Sequence, residues 1–298
     1  MRFRAVLVDN AAMKDFLTTV NSLSKLSKEC VMRITIRHVY FIIPDDDTGP
    51  RRPLVWCELP VNFYFREFNL EGVSHEQNEI YLGLSTAMLL KSLSTVKQNA
   101  KSLKVKLTNK QAPCLTLEME LTSTEGLQNR HLVHDIPVEV IGRKHWGEYA
   151  EPQFNDFHGF LQVSMQMPNL KPIKSIVERM KNMGHSLIVS ATKFGKLSLR
   201  IKTDVVSLTA HFSNLGIESF AVAHNTELLE NTNDADATEV NSVVTATIDI
   251  KKFLMFLAGM QLNNCRTTCS IVHGKMVKLS CEQPGALSLQ CFFTEILI

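Results

Sequence analysis

The sequence has 298 residues, a length suited to about two domains of roughly 150 residues each. Hydrophobic residues make up 45% and charged residues 21%, which excludes a disordered chain and leaves ample apolar material for a core. The net charge of +2 does not by itself imply a nucleic-acid partner, and no apolar run reaches the roughly 18 residues that a membrane span needs.

In chain order, Phe3, Ala5 and Leu7 alternate with Arg2 and Arg4, which predicts a strand over residues 1–8. Asp9 and Lys14 interrupt the apolar character there, so no secretory signal is expected. Asp9 or Asn10 can cap a helix in which Met13, Phe16, Leu17, Val20 and Leu23 recur at helical spacing. Residues 31–43 read as two strands, 44–53 as a turn-forming loop and 54–70 as strand again. A strand ending at Leu84 leads to a helix capped by Ser85 or Thr86, with Met88, Leu89, Leu93, Val96 and Ala100 in one stripe. Two alternating runs, LKVKLTNK and CLTLEMEL, then flank a turn at Asn109-Lys110, and a third extended run covers 130–140.

Residues 142–156 are polar and aromatic with Gly and Pro, and read as a connector between domains at 1–141 and 157–298. The second half repeats the order of the first: strand, helix over PNLKPIKSIVERMKNMG, strands, a long acidic loop at 227–239, a strand, a helix over KKFLMFLAGMQ and three closing strands. An offset of 164 residues lays Ser85 on Asp249, Leu89 on Phe253, Leu93 on Leu257 and Leu107 on Ile271. The expectation is a duplicated α+β fold, each domain pairing antiparallel sheet with two helices.

Charge is segregated along the chain. Residues 80–117 contain six lysines and no acid, whereas acids gather at 45–47 and 227–239. Projected at 100° per residue, Lys14, Lys25 and Lys28 oppose the apolar face of the first helix. Lys91 and Lys101 oppose that of the second, with Lys97 at its margin. Lys171 and Arg179 face outward on the third helix, beside Glu178, and Lys251 on the fourth. One solvated lysine face is ordinary, but four in duplicated positions point to a shared phosphate-facing surface.

Enzyme chemistry is thinly represented. No phosphate-binding loop, dinucleotide fingerprint, nucleophile elbow or HExxH motif occurs. His134-Asp135 lacks a partner nucleophile and reads as structural. Cys265, Cys269 and His273 are spaced by four, as on one strand face, without the short CxxC knuckle of a zinc site; core packing is the expectation, with no metal and no cofactor. Seven scattered cysteines without a leader suggest free thiols in a reducing compartment. Two readings follow: a non-enzymatic DNA-binding module, or a nucleic-acid-processing enzyme using the basic faces. Against the second, those faces carry no clustered carboxylates fit for metal-assisted hydrolysis.

Several stretches together resemble one family: MRFRAVLVD at the start, WCEL at 56–59, EGVS at 71–74 with NEIYLGL, LKVKLTNK with PCLT, HDIPVEVI, SIVERMKN, KKFLMFLAGMQ and LSLQCFF. The sequence is similar in these, from its start nearly to its end, to the hydroxyurea-sensitive (Hus) subunit of the 9-1-1 checkpoint clamp. The loop at 44–53, the acidic stretch near Asn231 and the last five residues depart from that pattern.

The resemblance implies a fold like proliferating cell nuclear antigen (PCNA), with sheets outside and two helices per domain on the inner face. It implies a ring completed by two other subunits, a clamp loader that places it on double-stranded or recessed-end DNA, and recruitment of checkpoint signalling and repair enzymes. It also implies a nuclear protein, cytoplasmic before assembly; the sequence itself carries no strong basic run that would serve as an import signal. On this basis Lys14, Lys25, Lys28, Lys91, Lys101, Lys171, Arg179 and Lys251 are expected to face DNA. The subunit edges are expected at 130–140, through Leu132, His134 and Ile136, and at 204–212, through Val206, Leu208, Ala210 and Phe212. A partner groove is expected along the connector, with Trp146 and Tyr149 as aromatic anchors.

Overall fold

The structure, a computed structural model, describes residues 1–45, 52–74, 76–97, 100–122, 129–151, 159–221, 243–260, 262 and 265–296. The acidic loop at 227–239, Asp46, Asp47 and residues 152–156 of the connector lie outside the described residues. The chain divides into two units: Met1–Glu151 with Gly259–Asn264 and Gln283–Leu289, and Pro152–Ala258 with Cys265–Glu282 and Gln290–Ile298.

The first half of the chain runs β1 (Arg2–Leu7), α1 (Asn10–Leu26), β2 (Glu29–Ile34), β3 (His38–Asp45), β4 (Arg52–Pro60), α2 (Val61–Tyr64), β5 (Glu67–Glu71), β6 (Ile80–Ser85), α3 (Thr86–Leu93), β7 (Ala100–Asn109), β8 (Pro113–Leu121), β9 (Arg130–Pro137) and β10 (Glu139–Val140). The second half runs β11 (Gln162–Gln166), α4 (Leu170–Met180), β12 (Ser186–Thr192), β13 (Leu197–Lys202), β14 (Ser207–Phe212), β15 (Ile217–Ala221), β16 (Val243–Asp249), α5 (Ile250–Gly259), β17 (Arg266–Val272), β18 (Met276–Gln283) and β19 (Leu287–Thr294).

Strand order repeats with the chain. The order β5-β1-β7-β8-β9 recurs as β15-β11-β17-β18-β19, and β6-β2-β3-β4 recurs as β16-β12-β13-β14. The pairings are antiparallel, for example Ala5 opposite Val105 and Val189 opposite Ala246. The offset of 164 that aligned Ser85 with Asp249 aligns two helix caps. Ser85 Oγ accepts the Met88 N–H at the start of α3, and Asp249 Oδ1 accepts the Lys251 and Lys252 N–H groups at the start of α5, at 2.6 and 3.0 Å. Asp9, rather than Asn10, caps α1 through the Ala12 N–H at 2.8 Å.

Alternation places the cores. In the first unit Phe3, Met32, Phe41, Val105, Leu115 and Leu117 come from both sheets to meet Phe16 of α1 and Leu89 of α3 around a residual void of only 10 Å³. Such close filling is what fixes each helix on its sheet. In the second unit Ile173, Val177 and Met180 of α4, and Phe253 and Phe256 of α5, are fully buried.

Two expectations need correction and one element was missed. The strand expected over 54–70 is broken by α2, where the Phe65 N–H closes one turn on the Val61 carbonyl at 2.9 Å directly after Pro60. The strand β15 was not anticipated. The second helix stops at Leu93, followed by a 3-10 turn over Ser94–Lys97. There the Ser94 and Thr95 hydroxyls donate to the Lys91 and Ser92 carbonyls and compete with the helical ladder. Lys101 therefore sits on β7, not on a helix face.

Candidate nucleic-acid face and assembly edges

Seven of the eight cations expected to face DNA stand on or beside helices and are exposed. Lys14 and Lys25 on α1, Lys28 just beyond it, Lys91 at the last turn of α3, Lys171 and Arg179 at the two ends of α4, and Lys251 at the start of α5 all face solvent. Among the described residues no carboxylate lies within ion-pair distance of any of the seven. The inward faces of the same helices are buried by Phe16, Leu89, Val177 and Phe253, so the charged faces are fixed in direction by packing.

The strand lysines of the acid-free segment behave differently. Lys101 meets Glu120 at 3.4 Å, Lys104 meets Glu118 at 3.1 Å, Lys106 also pairs with Glu118, and Lys110 meets Asp135 at 2.6 Å. The acids missing from residues 80–117 are supplied across the ladder by β8 and β9. The hydrogen bond from Lys106, followed by that from Lys104, holds the Glu118 carboxyl below the usual carboxylate range.

Among the described residues six strands end their sheets with one neighbour each, β5, β9, β10, β14, β15 and β16, and both expected edges are among them. β9 pairs only with β8, and β14 only with β13, among the described residues. Val133 of β9 is 57% exposed, and Val206 and Leu208 at β14 are exposed as well. Leu208, Ala210 and Phe212 lie opposite the buried Ile201, Leu199 and Leu197, so they share the core-side face of the sheet while the edge leaves them open. On β9 the picture departs from expectation. Ile136 is 1% exposed and packs into its own unit, while His131, Val133 and Asp135 are outermost. His134 and Asp135 point to opposite faces and form no dyad. Asp135 accepts from Lys110 and from the Thr116 hydroxyl, both at 2.6 Å, which pins the edge strand to the β7–β8 turn and to β8. His134 Nε2 is buried without a hydrogen-bond partner among the described residues.

The aromatic pair of the connector turns inward. Residues Arg143–Tyr149 form a 3-10 helix in which Tyr149 is 7% exposed. Trp146 stacks on Tyr81 at 4.5 Å and 22°, and its Nε1 donates to the Ile141 carbonyl at 3.0 Å. Tyr81 is itself held by Arg33, whose guanidinium lies between Tyr40 and Tyr81 and pairs bidentately with Glu79 at 2.9 and 3.0 Å. Beside this stack a cleft of about 620 Å³ opens over Val31 and Gly83, walled by Ile141 and Tyr149 and edged by Glu29, Glu139 and His145; Trp146 does not line it. This cleft was not anticipated, because its lining is assembled from strands far apart in sequence, with Val31 on β2, Gly83 on β6 and Glu139 on β10.

Cys269 is buried on β17, and His273 Nδ1 accepts the Thr245 N–H at 3.1 Å, so both serve the second unit's own packing. The described residues contain no group of three metal-ligating side chains.

A duplicated pair of antiparallel sheets covered by exposed-face helices is the architecture of sliding-clamp subunits. PCNA from Entamoeba histolytica superposes with a TM-score of 0.66 at 14% identity, covering 99% of each chain. PCNA from Thermococcus kodakaraensis does so at 0.63 and 12%, covering 98% of this chain and 99% of its own. The chain belongs to the Hus1-like protein family, which matches residues 1–296. Its relatives include Checkpoint protein HUS1 of Homo sapiens, 42% identical over 277 residues and 93% of each chain. Checkpoint protein Hus1-like of Drosophila melanogaster is 28% identical over 272 residues, 91% of this chain and 90% of that one.

Proposed function

We propose that this chain is a non-enzymatic subunit of a checkpoint sliding clamp, acting with other clamp subunits on DNA. The observation that carries this reading is a clamp fold with an unpaired edge strand in each unit, in a chain of the Hus1-like family. An open edge offers a row of backbone donors and acceptors, and strand addition is its natural completion.

The finer reading assigns each edge a different partner subunit, so that the chain is an obligate part of a hetero-oligomer. The exposed Val133, on a strand that pairs only with β8 among the described residues, supports β9 as one such edge. The seven helix cations contact phosphates without reading bases. Lysine suits that task as a mobile point charge, and a closed ring needs only weak contacts because it cannot leave the duplex sideways. A clamp loader would place the ring at recessed ends in the nucleus, where it holds signalling and repair factors. The cleft over Gly83 is the better candidate for a short peptide motif than the Trp146 face, which is occupied by Tyr81.

The decisive experiment loads the chain, with the two other subunits and the loader, onto nicked circular duplex. Retention through a high-salt wash and release on linearisation are expected. Release by salt alone, or turnover of the DNA by the purified chain, would sink the reading.

A further inference from the structure

Each unit carries an apolar tip beside one or two cations that have no ion-pair partner among the described residues. In the first unit the β2–β3 turn exposes Ile36 to 64%, next to Arg37. In the second unit the topologically equivalent β12–β13 turn exposes Phe194 to 68%, between Lys193 and Lys196. These are among the most exposed large hydrophobic residues of the described chain, at turns where a polar residue would cost nothing.

Both tips are rigid, and built alike. Thr35 opens the first turn: its hydroxyl donates to the His38 carbonyl and accepts the His38 N–H, both at 3.0 Å. Thr192 opens the second, and its hydroxyl accepts the Phe194 N–H at 3.3 Å. Each turn is then tied to the connection between the fourth and fifth strands of its unit. The Val61 N–H donates to the Arg37 carbonyl at 2.9 Å, and the Leu215 N–H to the Gly195 carbonyl at 3.0 Å. Gly195 makes the second tie possible, since its φ is +77° and a Cβ there would collide with the Leu215 carbonyl. The first tie brings α2 beside Ile36, and α2 adds Phe63, 42% exposed.

Charge selects the occupant. Arg37, Lys193 and Lys196 have no carboxylate partner among the described residues, and Lys193 Nζ lies 5.3 Å from the Phe194 ring centroid. A phosphate backbone would use the cations but leave Ile36 and Phe63 without a role. An acidic segment bearing apolar side chains uses both. We propose that these turns are two equivalent docking sites, one per unit, for an acidic peptide with hydrophobic anchors supplied by a partner protein.

The test immobilises the full-length chain at low density on a sensor surface and titrates a synthetic 14-residue peptide alternating Asp or Glu with Leu or Phe. Two peptides are expected to bind per chain. Phe194→Ser removes one site, Ile36→Ser with Phe63→Ser removes the other, and each surviving site keeps its affinity. An affinity loss of about tenfold or more per altered tip is expected. Lys193→Glu with Lys196→Glu should weaken the second site alone. A peptide with Ser in place of its Leu and Phe should not bind. Because the substituted residues are exposed, circular dichroism of the variants should match the parent. One peptide or none per chain, or binding indifferent to the tip substitutions, overturns the proposal. So does tip-dependent binding of a 15-nucleotide oligo-dT that is stronger than that of the peptide, which would make the tips a nucleic-acid contact.

Discussion

Lys91 and Lys101 belong to one acid-free stretch of sequence, yet they have opposite fates. Lys91 stands free at the end of α3, while Lys101 crosses to Glu120 on the neighbouring strand. A run of like charges thus says little until the ladder decides which charges find partners. Glu118 is the centre of that ladder, taking both Lys104 and Lys106, and its acidity is raised chiefly by the Lys106 hydrogen bond. A carboxylate whose folded-state pKa is lowered contributes stability above its ordinary pKa and loses it as pH falls through the lowered value. Glu118→Gln should therefore lower the thermal midpoint at neutral pH. The gap to wild type should close on acidification below about pH 4. Melting curves across that range check this, and a gap independent of pH would contradict it. Trp146 makes a second case. Its ring is partly exposed but stacked, and its N–H is used, so Trp146→Ala should cost about 2–3 kcal/mol, short of the roughly 3–5 of a fully buried Trp. Trp146→Phe keeps the stack and loses only the hydrogen bond, about 1 kcal/mol. Denaturant titration separates the two.

At the scale of elements, alternation and caps were legible where the pattern is local. The strands β7 and β8, the Asp249 cap and the buried faces of α1 and α4 follow from spacing alone, while the other two caps were narrowed to Asp9 or Asn10 and to Ser85 or Thr86. The end of α3 was not legible, because Leu93, Val96 and Ala100 are all buried and fit a continuing helix as well as a turn leading into a strand. Nor was the direction of Trp146, which is set by Tyr81, far away in sequence, or the cleft over Gly83, which needs three strands to exist. The edge strands lie between these cases: their extended character is readable, but the inward turn of Ile136 depends on the register with β8. The proposed role of β14 can be tested by proline, which removes one ladder donor. Successive N–H groups of a strand point to opposite sides, so of Leu208→Pro and Thr209→Pro one strikes the β13 pairing and the other the open side. The variant that keeps the parental melting temperature should lose one clamp partner and retain the other, as read by native mass. Retention of both, or loss of both, would count against β14 as a subunit edge.

For the whole molecule, the net charge of +2 shows that any attraction to DNA must come from arrangement, not from total charge. Two lysine sets offer an internal control. The helix set is free of carboxylates, while Lys101, Lys104, Lys106 and Lys110 are already neutralised by their neighbours. A phosphate contact releases a counterion, and the logarithm of the binding constant falls against the logarithm of salt by about 0.9 for each contact. Changing Lys14, Lys25, Lys91 and Lys251 to Gln together should reduce that slope by up to about 3.6 when the assembled clamp binds linear duplex. The same change at the four strand lysines should leave the slope in place and lower thermal stability instead. Once loaded on a closed circle, the helix variant should still survive a high-salt wash, because a topological link does not depend on phosphate contacts. It should also diffuse along the duplex faster than the parent, since weaker contacts lower the friction of sliding. Single-molecule tracking on stretched DNA measures this directly. If the slope followed the strand lysines, or if the loaded helix variant washed off an intact circle, the helix faces would not be the surface that meets DNA.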